Sequence, residues 1–170
     1  MAVVTSARTS PLLLAAVFLL SGCFVQEDSI TISGDGKVSF ESLVTVADQE
    51  KKIQFSDLDK ITSDVAEELH GAHWKVERSW ISKERPYQFK MTGSGQLAEL
   101  ARKTRFYTLE PVSDKVYRIK FLTPGGSTNG SRRIMFTSSG GKMFVRDKNG
   151  AVVSQIDEPS EEVAYTIVLS

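Results

Sequence analysis

The chain has 170 residues, 41% of them hydrophobic, with 21 Lys/Arg against 21 Asp/Glu, two His and one Cys. Balanced charge argues against a nucleic-acid binder, a single thiol excludes an internal disulfide, and imidazole chemistry has two candidates only. The charge is unevenly spread: residues 23–70 hold 4 basic and 11 acidic side chains, residues 71–105 hold 8 and 3, and residues 106–170 hold 8 and 7.

The first ten residues carry the initiator amine and Arg8 without an acid, and Pro11 to Leu20 is mostly apolar. A positive start, a short apolar run and a small-residue exit describe a secretory signal peptide. A membrane-spanning helix would need roughly 20 apolar residues. Leu20-Ser21-Gly22-Cys23 closes the run, and it resembles the lipobox of bacterial lipoproteins. The resemblance implies cleavage between Gly22 and Cys23, diacylglycerol on the Cys23 thiol, and a further acyl chain such as palmitate on its amine. Membrane lipid, reached through these acyl chains, is then the first partner. In Gram-negative lipoproteins an Asp after the Cys commonly retains the protein in the inner membrane. Phe24 stands there instead, so the resemblance implies the outer membrane, facing the periplasm, in such a host. The expected organisation is a signal peptide over 1–22, a lipidated N-terminus and short tether over 23–29, and one globular domain over 30–170.

Ile30–Ile32 and Val38–Val46 read as a hairpin around Gly34-Asp35-Gly36, a strong turn signal. Apolar alternation slips between Phe40 and Leu43, which predicts a bulge near Glu41-Ser42. Ser56 to His70 is the best helix: Ser56 and Asp59 resemble a capping box, Leu58, Ile61, Val65 and Leu69 make one apolar stripe, and Gly71 suits the C-terminal cap. His73–Ser82 and Tyr87–Thr92 read as strands. Gly93-Ser94-Gly95 then leads into a short helical pattern over Gln96–Lys103. From Arg105 onward short strands are expected at 106–109, 116–122, 133–137, 142–146, 151–155 and 163–169, with Asn149-Gly150 as the clearest turn and Thr123–Ser131 as the mobile loop. Strands this short and charged fit a transmembrane barrel poorly. The expected class is α+β, a largely antiparallel sheet with one or two helices packed on one face.

Gly93-Ser94-Gly95-Gln96-Leu97-Ala98 matches a dinucleotide fingerprint in spelling, but the helix after it is too short for a βαβ crossover, so a Gly-rich strand-to-helix turn is expected. Glu67-x-x-His70 occurs once, and no second copy completes a di-metal set. No metal site and no cofactor are expected. Serine-hydrolase signatures do not occur, so catalytic residues are not assigned. The candidate binding surface is Trp74, Arg78 and Trp80, read on one strand face, with Arg132 and Arg133 after the Gly-rich loop; Trp and Arg are typical interface anchors.

The sequence therefore suggests a lipid-anchored envelope protein whose domain binds or scaffolds at the membrane surface without catalysis. Envelope proteins, glycan or anionic lipid are the partners considered, and nucleic acid is not. The alternatives are an envelope hydrolase acting on glycan or lipid, and an accessory lipoprotein of a membrane assembly complex.

Overall fold

The computed structural model describes residues 23–47, 53–122, 130–140 and 143–170. The expected signal peptide, with Leu20, Ser21 and Gly22 of the lipobox-like run, and the loop residues 123–129 lie outside them.

The expected hairpin forms and is longer than its apolar run. β1 (Cys23–Ser33) pairs antiparallel with β2 (Lys37–Ala47) without interruption from Cys23↔Ala47 to Ile32↔Val38. Gly36 turns the chain at φ +82°, and the Asp35 carboxylate accepts from the Lys37 N–H. No bulge occurs at Glu41-Ser42, and residues 24–29, expected as a tether, are the first half of β1. Both differences have one cause. Gln26, Asp28 and Ser42 occupy inward-facing positions, where the alternation rule assigns apolar residues.

Helix α1 (Phe55–Gly71) follows, with Leu58, Ile61 and Leu69 buried. It starts one residue before Ser56, on Gln54, and no side chain caps it. Its C-terminus is a Schellman closure: Trp74 N–H donates to Leu69 O and His73 N–H to His70 O, both at 3.0 Å. The left-handed residue is His73 at φ +69°, so the expected Gly71 cap lies two residues too early.

β3 (Lys75–Ser82) and β4 (Tyr87–Gln96) complete one side of a sheet. β5 (Tyr107–Ser113), β6 (Val116–Phe121), β7 (Gly130–Ser139), β8 (Met143–Arg146), β9 (Gln155–Asp157) and β10 (Tyr165–Leu169) follow. The expected strand over 151–155 does not form; Val152 contributes a lone bridge to Arg146, and the next strand begins at Gln155. The expected second helix over 96–103 is also absent. Leu97 and Leu100 are buried from a turn instead.

The α+β expectation is thus corrected to a predominantly β architecture. Six strands make one sheet in the order β3-β4-β2-β1-β7-β9, and four make a second in the order β5-β6-β10-β8. The larger sheet is mixed, because β1 and β7 run parallel in register from Phe24↔Gly130 to Ser33↔Ser139. One face of it is covered twice. The small sheet packs over β1, β2, β7 and β9 through Ile32, Ile134, Phe136, Leu109, Val145 and Ile167. Helix α1 packs over β2, β3 and β4 through Leu58, Leu69, Val44, Val76 and Met91. The other face carries Lys90–Glu41, Thr31–Thr137 and Arg133–Asp157 pairs across strands, as a one-sided sheet favours, with Val25 and Met135 exposed among them.

Candidate functional site

Because α1 and the small sheet share one face of the large sheet, a gap remains between them. It is a cavity of about 670 Å³, within the roughly 300–1,000 Å³ of ligand pockets. Alternation along the strands supplies its floor: Phe24, Gln26, Asp28, Ile30 and Ile32 from β1, Phe40, Ser42 and Val44 from β2, and Gly130, Arg132 and Phe136 from β7. Ile61, Val65 and Leu69 of α1 form one wall, and Ile119, Phe121 and Ile167 of the small sheet form the other. The exposed Glu158 and Glu161 also line it, so the cavity reaches the surface near the start of β1 and β7.

Two glycines shape the floor. Gly93 faces Phe40 across β4 and β2, and Gly130 faces Phe24 across β7 and β1. A Cβ on Gly93 would lie 2.3 Å from Phe40 Cε1, and one on Gly130 would lie 2.1 Å from Phe24 Cε1. Gly93-Ser94-Gly95 therefore sits inside a strand, where Gly93 makes room for the Phe40 ring and Gly95 for Leu100, and is not the expected strand-to-helix turn.

The floor carries one polar cluster. Asp28 accepts from Gln26 Nε2 at 2.9 and 3.1 Å and from Arg132 Nε at 2.8 Å. Gln26 Nε2 also reaches Ser42 Oγ at 3.3 Å. The Asp28 and Arg132 side chains are 8% and 16% exposed, so this is a largely buried ion pair. The Arg132 guanidinium lies 5.7 Å from the centre of the Phe121 ring, within cation–π range. Beyond Nε, among the described residues, the Arg132 side chain has no hydrogen-bond or ion-pair partner. Asp28, Gln26 and Ser42 were not singled out from sequence; the slip in alternation was their one visible signal.

The five expected surface residues divide three ways. Trp74 and Arg132 line the cavity. Trp74 is stacked edge-on to Phe40 at 5.1 Å and donates its indole N–H to Tyr107 Oη at 3.0 Å. Burial pushes the Tyr107 phenol above its usual value, and the Trp74 bond offsets part of that rise. Arg78 and Trp80 instead fasten α1 to the sheet: both donate to Asp59 Oδ1, at 2.7 and 2.9 Å. Those two bonds, Arg78's the larger, hold the Asp59 carboxyl below its usual range. Trp80 also packs against Phe55 and Phe89. Arg133 lies on the opposite sheet face, 2.9 Å from Asp157 and 3.9 Å from Glu27. Glu67 and His70 are exposed, and His70 Nδ1 meets the Trp74 carbonyl at 3.2 Å.

Cys23 is the first described residue and the first of β1; Gly22, on the other side of the expected cleavage, lies outside the described residues. No protein-family model and no curated protein matches the chain. Among solved structures, the folded domain of the Mycobacterium tuberculosis protein LppM, determined by NMR, is 13% identical with a TM-score of 0.45, over 85% of this chain and 87% of that one. A similarity this low assigns neither a fold nor an activity.

Proposed function

We propose that the protein is a lipid-anchored envelope protein whose domain binds the acyl chain of an amphiphile, without catalysis, at the membrane surface. The cavity carries this reading. It is lined mainly by aliphatic and aromatic side chains and reaches the surface where Phe24, the residue after Cys23, lies on Gly130. Transfer of an apolar chain from water into such a lining is favourable by roughly 25 cal/mol per Å² buried. With Cys23 acylated and β1 starting at that residue, no tether separates the domain from the membrane, so the cavity mouth stands close to the lipid it would draw from. Phe24 in place of Asp favours the outer membrane in a two-membrane host, by the same lipobox resemblance.

Two measurements test the reading. Cys23→Ser is expected to abolish metabolic labelling with palmitate and to release the protein from carbonate-washed membranes; continued membrane retention with labelling would overturn the anchor. Lipid extracted from the purified wild-type protein and resolved by mass spectrometry is expected to contain a stoichiometric acyl species. Ile119→Trp, which fills the cavity from the small sheet, is expected to lose that species while keeping the fold. Equal recovery from both proteins would overturn the cavity as the binding site.

A further inference from the structure

We infer that the cavity selects amphiphiles with a monoanionic oxyacid headgroup, a carboxylate or a phosphodiester, and that Arg132 is the group that recognises it. The inference rests on the acyl-binding reading above and specifies its ligand.

Asp28 and Arg132 interrupt an otherwise apolar floor. A buried ion pair is weak evidence for stability, since apolar residues of similar volume often serve as well. Stability alone therefore gives little reason to keep one at the base of a ligand-sized cavity. The bonding pattern supplies a reason. Asp28 is partnered through both oxygens, accepting three hydrogen bonds from Gln26 and Arg132. Arg132 is not: Asp28 takes Nε, and both Nη groups lack a partner among the described residues. A guanidinium held by its Nε and braced against the Phe121 ring presents its end-on Nη pair in a fixed plane. That fork matches the two oxygens of a carboxylate or phosphate.

The surroundings limit the charge of the ligand. Glu158 bonds the Arg132 backbone N–H through Oε1 at 3.2 Å, and Glu161 also lines the cavity. The Glu158 carboxylate there disfavours a second negative charge on the headgroup, because like charges brought together repel. One anionic group on the fork is favoured, and a dianionic phosphomonoester is not.

The test uses Trp74, whose position in the cavity wall makes it a reporter. Full-chain protein in phosphatidylcholine nanodiscs is titrated with bromo-hexadecanoic acid, its methyl ester, and a bromo-hexadecyl methyl phosphodiester. The pH is held well above the carboxylate range, and a Trp80→Phe background is used. The acid, the phosphodiester or both are expected to quench Trp74 at about tenfold lower concentration than the ester, as a charge-assisted bidentate contact provides; whichever does so identifies the headgroup. Arg132→Gln should bring all three probes to within about twofold while ester quenching persists. If Arg132→Gln folds poorly, the Asp28→Asn/Arg132→Gln pair, which leaves no buried charge, is expected to show the same loss of preference. Equal quenching by all three probes in the wild type would overturn the role of Arg132 and leave the acyl cavity standing. No quenching by any probe would overturn the cavity reading itself.

Discussion

The Phe40 ring packs against the backbone of Gly93, its cross-strand partner, so closely that no other residue fits at position 93 without moving the ring. The same ring stands edge-on to Trp74, so a backbone position in β4 controls an aromatic contact in the cavity. Gly93→Ala is expected to lower stability by about 1–3 kcal/mol through overpacking, read by thermal melt, and to shift Trp74 emission. Phe40→Leu added to Gly93→Ala should recover part of the loss, since the smaller side chain leaves space for the methyl group. An unchanged melt for Gly93→Ala would show that the ring moves aside freely.

The Schellman closure of α1 places a β-carbon where glycine is preferred. His73 sits at φ +69°, and a non-glycine residue there costs roughly 1–2 kcal/mol. His73→Gly is expected to raise stability by about 0.5–1 kcal/mol, after part of the relief is offset by the greater freedom of glycine in the unfolded chain. Chemical denaturation measures it, and a drop in stability would mean that the imidazole makes a compensating contact.

Asp59 ties α1 to β3 through Arg78 and Trp80, and its carboxyl is held below the ordinary value of 3.8. A carboxylate with a depressed pKa contributes stability above its unfolded pKa and loses it as pH falls through the folded one. Asp59→Asn is therefore expected to melt below the wild type at neutral pH, with the gap closing as pH is taken below 3.8. Asp35 and Asp157 are depressed in the same sense, so the difference between the two proteins, and not the wild-type curve alone, isolates Asp59. A gap that stays constant from neutral to acidic pH would assign the loss to packing.

The candidate site was hidden by the rule that makes strands legible. Alternation identifies strands by apolar residues on one face, and Gln26, Asp28 and Ser42 put polar groups on that face. In β1 they made residues 24–29 resemble a solvated tether, and in β2 Ser42 resembled a bulge. Local breaks in an otherwise consistent pattern are where functional positions are expected. Here the break marks the polar floor of the cavity. Gly93 and Gly95 misled for a related reason: glycine inside a strand signals close approach by another group as well as a turn, and only the neighbour, Phe40 or Leu100, decides between them.

What the chain determines by itself is what neighbours in sequence can settle. The turn at Gly34-Asp35-Gly36 and the amphipathic stripe of α1 each depend on contacts within a few residues. So, by resemblance alone, does the role expected of Cys23. Tertiary structure decided the rest. It set β1 beside β7 in parallel, brought Asp28 to Arg132 across 104 positions of sequence, and sent Trp74 to the cavity but Trp80 to the base of the helix. Those outcomes depend on which distant strands pair and which face they bury, and side-chain types along one segment do not encode the partner.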